Sequence, residues 1–176
     1  MLRRALHGRW LVLAAALVMA GCGFQLRSWE LDESVGSVFV AAANGSTRGA
    51  SDIAGDLRTA FSQAGVELAS AHTEADLVVT LLDERNARRS ISVTGQARAA
   101  EYEIVRSLQY AVARRAQDQS TELIEPRWIR VQRVFLVDRN NIVGSNEEQA
   151  LVERELKSDI IQQVIRSINL VVEQEQ

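Results

Sequence analysis

The chain has 176 residues, a formal net charge of −3 and a single cysteine, Cys22. One cysteine excludes a disulfide within the chain, and two histidines leave little for metal or nucleophilic chemistry. The sequence contains no HExxH, CxxC, GxSxG or Walker motif. We therefore expect a protein that is not an enzyme and that needs neither a metal nor another cofactor.

The first 21 residues are typical of an export signal. Three arginines lie within the first nine residues, and an apolar run follows over residues 10–20. This run is shorter than the roughly 20 helical residues that cross a bilayer. It fits the apolar region of a secretory signal peptide, with small residues at the cleavage point.

The ending Ala20-Gly21-Cys22 resembles the lipobox of bacterial lipoproteins, with Met19 where Leu is usual. The resemblance implies cleavage before Cys22 and three acyl chains on this residue, palmitate among them, which would hold the protein firmly on a membrane. Gly23 stands where an Asp would favour the inner membrane, so we expect the outer membrane of a Gram-negative cell. The alternatives are an ordinary signal peptide with a nearby cysteine, and an uncleaved anchor.

We predict three segments: a lipoprotein signal peptide over 1–21, a lipidated tether over 22–34 and a single α/β domain over 35–176. Loss of residues 1–21 removes three arginines and no acidic residue, so the mature chain carries a net charge of −6. This charge argues against nucleic acid as a general partner. The tether contains Phe24 and Trp29; either it docks on the domain or a partner, or it is a loosely ordered leader.

A strand, a helix and a second strand are predicted in the first half of the domain. The first strand covers 38–41 and ends at the turn signal Asn44-Gly45. Ser51 is a suitable N-cap for the helix, and Gly65 suits the left-handed position that ends it. Its apolar stripe consists of Ile53, Leu57, Phe61 and Ala64. The apolar run 76–82 favours a strand in a parallel pair, continued to residue 95 as one arm of a long hairpin.

Two more strands and a long helix are predicted in the second half. The return arm covers 99–112 and alternates apolar and polar residues, with Arg106 in the apolar row. A polar connection over 114–122 precedes a strand over 123–137 with Pro126 near its start. Alternation in this strand predicts one shared face for Trp128, Arg130, Gln132, Val134 and Leu136. Ser145 and Glu148 predict a capping box for a helix over 146–172. The apolar ridge of this helix consists of Val152, Leu156, Ile160, Val164, Ile168 and Val172. The order β-α-β-β-β-α indicates an α/β sandwich, a four-stranded mixed sheet with two helices on one face.

Three motifs, in this order and spacing, resemble the LPS-assembly lipoprotein LptE family. They are the start 20–27 (AGCGFQLR), the stretch 95–103 (GQARAAEYE) and the helix opening 146–148 (NEE) with its continuation over 151–163. Gln25 replaces a His of the family. Gly144-Ser145 stands where some members have a basic residue, so a lipid-binding role is not carried over to that position.

The resemblance implies an α/β lipoprotein on the periplasmic side of the outer membrane that plugs and assists assembly of the LptD β-barrel. Family members take part in lipopolysaccharide delivery to the outer leaflet, bind lipopolysaccharide and perform no catalysis. The alternative from another class is a lipoprotein activator or scaffold of a peptidoglycan-synthesis or secretion complex, since fold alone does not decide function.

Arginines supply the candidate lipopolysaccharide-binding residues, because the guanidinium group binds phosphate in bidentate fashion. Arg88, Arg89 and Arg98 flank the predicted hairpin tip, and Arg130 and Arg133 on the later strand form a second candidate group. The alternative is a set of solvated arginines that prevent strand aggregation. Glu101 and Glu103, two residues apart on a polar strand face, are expected to be solvated rather than a catalytic pair.

Overall fold

The computed structural model describes residues 35–42, 48–93, 99–116, 119–138 and 141–175. The predicted signal peptide, Cys22, the tether, the Asn44-Gly45 turn and the hairpin tip with Arg98 lie outside these ranges. Their predictions stay untested by the fold.

The described residues form five strands in one mixed sheet and two helices. The strands are β1 (Ser37–Ala42), β2 (Glu67–Leu68), β3 (Leu77–Val93), β4 (Ala99–Ala116) and β5 (Gln119–Asp138), and the helices are α1 (Arg48–Gln63) and α2 (Ile142–Glu173). The sheet order is β2-β1-β3-β4-β5. β1 runs parallel to β2 and β3, whereas β3, β4 and β5 form an antiparallel meander. No described helix is long and apolar enough to cross a membrane.

The predicted four-stranded sheet is wrong by one edge strand, β2. Gly65 adopts a left-handed backbone with φ of 82°, as predicted, and turns the chain after α1. The chain then runs back beside β1, where Glu67 and Leu68 lie opposite Ser37 and Val38. A strand of two residues is too short for any alternation to be visible in the sequence.

The connection predicted over 114–122 is also wrong, since most of it is paired. β4 continues to Ala116, and β5 begins at Gln119. Polar residues fit here because β5 is an edge strand whose side chains can reach water. Pro126 therefore lies inside β5, at a register shift between the Val112–Ile124 and Tyr110–Arg127 pairs. A bulge in an edge strand is a position where the missing amide donor of proline is tolerated.

Both helices pack on one face of the sheet, as predicted. The predicted stripe of α1 and the ridge of α2 are buried together with the inward residues of β1, β3, β4 and β5 in one apolar cluster. Its helical members include Ile53, Leu57, Phe61, Val152, Leu156, Ile160, Val164, Ile168 and Val172. Lys157 of α2 forms an ion pair with Asp56 of α1, which joins the two helices at the rim of this core.

The start of α2 differs from the predicted capping box. The helix begins at Ile142, and the N-cap is Asn141, whose side chain accepts a hydrogen bond from the Gly144 amide at 3.1 Å. Asn caps a helix as well as Ser does. Ser145 is buried instead, and its hydroxyl accepts from the Asp138 amide at 2.9 Å. It thus fixes the end of β5 to the first turn of α2.

A bulge at Leu82 changes which residues of β3 face the helices. Leu81 lies opposite Tyr110, but Asp83 lies opposite Gln109, so Leu82 is an extra residue. Odd-numbered residues face the core before the bulge, and even-numbered residues face the helix side after it, beginning with Glu84. Such a bulge re-aims every side chain beyond it.

The first residue re-aimed in this way forms a buried ion pair. Glu84 is 7% exposed, and its Oε1 accepts from Nε of Arg106 at 2.7 Å. Arg106 interrupts the apolar row of β4, as the sequence indicates, and this pairing explains how a cation is accommodated there. A buried charge is tolerated only when it is paired.

The core predicts a large effect of truncation at Leu156 and a small one at Leu170 on the same helix. Leu156 is fully buried, whereas Leu170 is 59% exposed. We expect Leu156→Ala to lower the free energy of unfolding by about 2–5 kcal/mol. Leu170→Ala should change it by no more than about 0.5 kcal/mol. Urea titration followed by circular dichroism measures both; equal losses would contradict the assigned orientation of α2.

The Glu84–Arg106 pair predicts strong non-additivity. Arg106→Met leaves Glu84 buried without its cation and should cost about 3–5 kcal/mol of unfolding free energy at neutral pH. The double variant Glu84→Met/Arg106→Met removes both charges and should recover most of this loss. Urea titration of the two variants and the wild type provides the measurement. A double variant less stable than Arg106→Met would disprove the burial of this pair.

Candidate functional site

The face of β3, β4 and β5 that points away from the helices, called the open face below, carries five cross-strand rows of side chains in the part of the sheet beyond the bulge at Leu82. From one end to the other these rows are Asp83–Gln109–Trp128, Arg85–Ser107–Arg130, Ala87–Val105–Gln132, Arg89–Glu103–Val134 and Ser92–Glu101–Leu136. The alternation of β4 and β5 predicted these faces correctly. Asp83, Arg85, Ala87 and Arg89 owe their position to the bulge at Leu82, and Ser92 owes its position to a second register shift between Ser90 and Ser92.

A depression of about 380 Å³ lies in the middle of the open face. It is lined by Arg85, Ala87, Arg89, Val105, Ser107 and Arg130, and these six residues are called the arginine hollow. Ala87 has only a methyl group between two arginines of the same strand, while Arg130 lies across β4 on β5. The space therefore exists because one small residue separates long cationic side chains.

Arg89 stands over a buried carboxylate. Its Nε donates to Oε2 of Glu103, which is only 5% exposed. The expectation that Glu103 is solvated is wrong, because the residue is only 5% exposed and its carboxylate is paired with Arg89 of the neighbouring strand. Glu101, one row further, stays exposed and accepts from the Ser92 hydroxyl at 2.8 Å.

Arg85 is held in a similar way at the other side of the hollow. Its Nε donates to Oδ2 of Asp83 at 3.1 Å. Its guanidinium carbon lies 4.4 Å from the centre of the Trp128 ring, a cation–π distance. In both Arg85 and Arg89 the recorded carboxylate contact is made by Nε, which leaves the two terminal nitrogens to face the hollow or water.

Arg130 is exposed and forms no ion pair with the described residues. Its five N–H donors are therefore available to a ligand or to water. The hollow thus combines three guanidinium groups with two nearby carboxylates, those of Asp83 and Glu103. Such an arrangement suits an anion; the described residues contain no group of His, Cys, Asp and Glu side chains that could hold a metal ion.

The structure separates the predicted arginine candidates. Arg88 lies on the helix side, where Nη1 donates to Oε1 of Gln149 at 2.9 Å and the guanidinium stacks 4.1 Å over the Tyr102 ring. Arg133 also faces α2 and forms ion pairs with Glu155 at 3.4 Å and Asp159 at 3.0 Å. These two arginines fix the sheet to the last helix.

Only two of the five predicted arginines, Arg89 and Arg130, come together, and Arg98 lies outside the described residues. Sequence reasoning missed Arg85 and Ala87. Regular alternation from Leu81 would place both of them on the helix side. The signal in the sequence is that the apolar row of Leu77, Val79 and Leu81 would continue with the charged residues Asp83 and Arg85.

Three solved structures share this fold. They are a minor lipoprotein from Acinetobacter baumannii (18% identity, TM-score 0.55), an uncharacterized lipoprotein B from Nitrosomonas europaea (22%, 0.64) and the rare lipoprotein B from Shewanella oneidensis (19%, 0.57). The matches cover 76%, 86% and 78% of this chain and 90%, 93% and 98% of those chains. At these identities the likeness establishes the fold, a mixed five-stranded sheet with two helices.

The family follows from the sequence itself. Residues 35–168 match the family model described as LptE: Lipopolysaccharide-assembly. The chain belongs to the LptE family, a non-enzymatic lipoprotein family with a role in lipopolysaccharide transport and assembly. The resemblance seen in the three motifs is thereby confirmed. No curated protein matches the chain.

The buried carboxylate predicts that Arg89 and Arg130 differ in their contribution to stability. Arg89→Ala leaves Glu103 without its hydrogen-bond donor and should lower the free energy of unfolding by about 1–3 kcal/mol. Arg130→Ala, on the same face but without an ion pair, should change it by about 0.5 kcal/mol or less. Urea titration at neutral pH tests the difference. Equal effects would show that the Arg89–Glu103 contact contributes nothing.

Proposed function

We propose that this protein is an outer-membrane lipoprotein that plugs an LptD-like β-barrel and assists its assembly. In this role it takes part in lipopolysaccharide delivery to the outer leaflet and binds lipopolysaccharide. The observation that carries the proposal is the open face, five mainly polar rows that no described helix covers, in a chain of the LptE family.

The dimensions of the sheet support insertion into a barrel. β4 has 18 residues, which span about 60 Å at roughly 3.3 Å per residue. The apolar band of an outer-membrane barrel is about 25 Å tall, and a wide barrel has a polar lumen. A sheet of this length passes through the whole band, and Ser107, Gln109, Arg130 and Gln132 offer hydrogen bonds to polar lumen side chains.

The proposed anchor is Cys22, acylated after removal of residues 1–21, with residues 22–34 as the tether to the domain. The tether has 13 residues from Cys22 to Ser34, so at full extension it reaches roughly 45 Å from the membrane. The domain would then stand on the periplasmic side, at the mouth of the barrel. In this proposal the protein works by binding and positioning; it performs no catalysis and needs neither cofactor nor nucleic acid.

The candidate lipopolysaccharide-binding residues divide by their surroundings. Arg89 and Arg130 share the arginine hollow and have donors available to a ligand. Arg88 and Arg133 are engaged with α2 and contribute to the fold. Arg98 stays a candidate from the sequence alone.

Site-specific photo-crosslinking in intact cells tests the barrel contact. A photo-reactive amino acid replaces Gln132 in the open face or, as the matched control, Gln63 at the exposed end of α1. We expect Gln132 to crosslink to a large outer-membrane β-barrel and Gln63 to yield little product. Mass spectrometry identifies the partner. An inner-membrane peptidoglycan or secretion component in place of a barrel would refute the proposal.

A further inference from the structure

We propose that the arginine hollow binds a phosphate monoester on the head group of an amphiphile. This inference rests on the proposed function and deepens it, because it assigns the phosphate to one place on the open face. The place is defined by the guanidinium groups of Arg85, Arg89 and Arg130 around the methyl group of Ala87.

The available donors fit a tetrahedral oxyanion. Arg85 and Arg89 contact their carboxylates through Nε, so the terminal nitrogens of both carry N–H groups without a recorded partner. Arg130 keeps all five donors, and Ser107 adds a hydroxyl on the strand between them. A phosphate offers several strong acceptor oxygens, which arginine forks bind in bidentate fashion.

The two carboxylates orient Arg85 and Arg89 and neutralise part of the positive charge of the hollow. Glu103 is buried under Arg89, and Asp83 holds Arg85 beside the Trp128 ring. A guanidinium group fixed at Nε loses less conformational entropy when its outer edge binds an anion. Three cations against two carboxylates leave a positive charge in the hollow, so an anion is the ligand that completes it.

The volume of the arginine hollow indicates a ligand larger than a bare phosphate ion. About 380 Å³ is many times the roughly 30 Å³ that one water molecule occupies in the liquid. The hollow therefore accepts a phosphate together with part of the group that carries it. Ala87 and Val105 line it with apolar surface, which suits the carbon skeleton of a head group.

The rows beyond the hollow favour an amphiphile over an acidic peptide. Val134 and Leu136 follow Arg130 along β5 on the same face and are 56% and 49% exposed. Leu136 lies six residues from Arg130, about 20 Å along a strand. An acyl chain extending from a phosphate in the hollow would lie along these exposed apolar side chains, whereas a peptide carboxylate has no need of them. In the proposed complex the head group is held between the open face and the barrel wall.

Binding of lipid A by the full chain, purified in a non-ionic detergent, tests the proposal. Mixed micelles containing diphosphoryl lipid A are titrated and the dissociation constant is measured. Dephosphorylated lipid A should bind at least about tenfold more weakly, the worth of one charge-assisted hydrogen bond. Inorganic phosphate should compete only at far higher concentration if the amphiphile, rather than free phosphate, is the ligand. Equal binding of the two lipids overturns the proposal.

A steric variant locates the site. Ala87→Leu fills the hollow without changing any charge and should weaken binding by about tenfold or more. Ala116→Leu, at an exposed alanine at the end of β4, is the matched control and should bind as the wild type does. Wild-type binding by Ala87→Leu overturns the assignment. If circular dichroism shows that Ala87→Leu is misfolded, the charge variant decides.

The charge variant is Arg130→Gln, with Arg166→Gln on an exposed position of α2 as its control. Arg130→Gln should weaken binding of diphosphoryl lipid A by about tenfold and leave binding of the dephosphorylated lipid unchanged. Equal losses for the two variants would indicate a general effect of net charge and would overturn the proposal. The proposal is also overturned if an acidic peptide displaces lipid A as efficiently as a phosphorylated amphiphile does.

Barrel capture separates this inference from the proposed function. The crosslink of the wild type from position 132 reports on the barrel contact, and it is measured independently of lipid binding by the purified chain. If the wild type captures no barrel, but its lipid binding depends on the phosphate and on Ala87, the proposed function fails and the site stands. If the barrel is captured but lipid binding ignores the hollow, the site fails alone.

Discussion

One extra residue in β3, Leu82, decides which side chains of the long hairpin meet the helices and which stay uncovered. It sends Glu84 towards the core, where Arg106 must neutralise it, and it sends Arg85, Ala87 and Arg89 to the open face. Without the bulge the next residue on the helix side would be Asp83, followed by Arg85. The core would lose its ion pair and the open face its hollow. The core packing and the candidate site therefore depend on the same backbone irregularity.

The two faces of the sheet use arginine in different ways. On the helix side every described arginine of the three long strands has a partner, and these contacts fasten the sheet to α2 or compensate buried charge; they are Arg88, Arg106, Arg114, Arg127 and Arg133. On the open face Arg85 and Arg89 each donate one hydrogen bond to a carboxylate through Nε, and Arg130 forms no ion pair with the described residues. A chain with a single lysine uses the directional guanidinium group for both purposes.

Regular patterns were predictable from the sequence, and local irregularities were not. The 3.6-residue period gave the buried stripes of both helices, and the two-residue period gave the faces of β4 and β5. β2 is too short for a period, and Asn141 and Ser145 are chemically equivalent N-caps, so the choice between them depends on packing. The candidate site was half predicted. Arg89 and Arg130 were named and share the open face, whereas Arg88, the neighbour of Arg89 in β3, necessarily takes the opposite face, and Arg133 faces α2. The burial of Glu103 depends on a side chain from another strand, which composition does not reveal.

The outer edge of β5 affects whether copies of the chain can associate. Among the described strands β5 pairs with β4 alone, and a 20-residue strand with such an edge invites a second copy to add its own strand. Pro126 has no amide to donate, and the register shift beside it breaks the ladder into two shorter parts. Arg127, Arg130 and Arg133 then place like charges opposite each other in any antiparallel homotypic pairing centred on this stretch. The sheet can thus have one face and one edge that no described element covers, while copies of the chain are kept from pairing through β5.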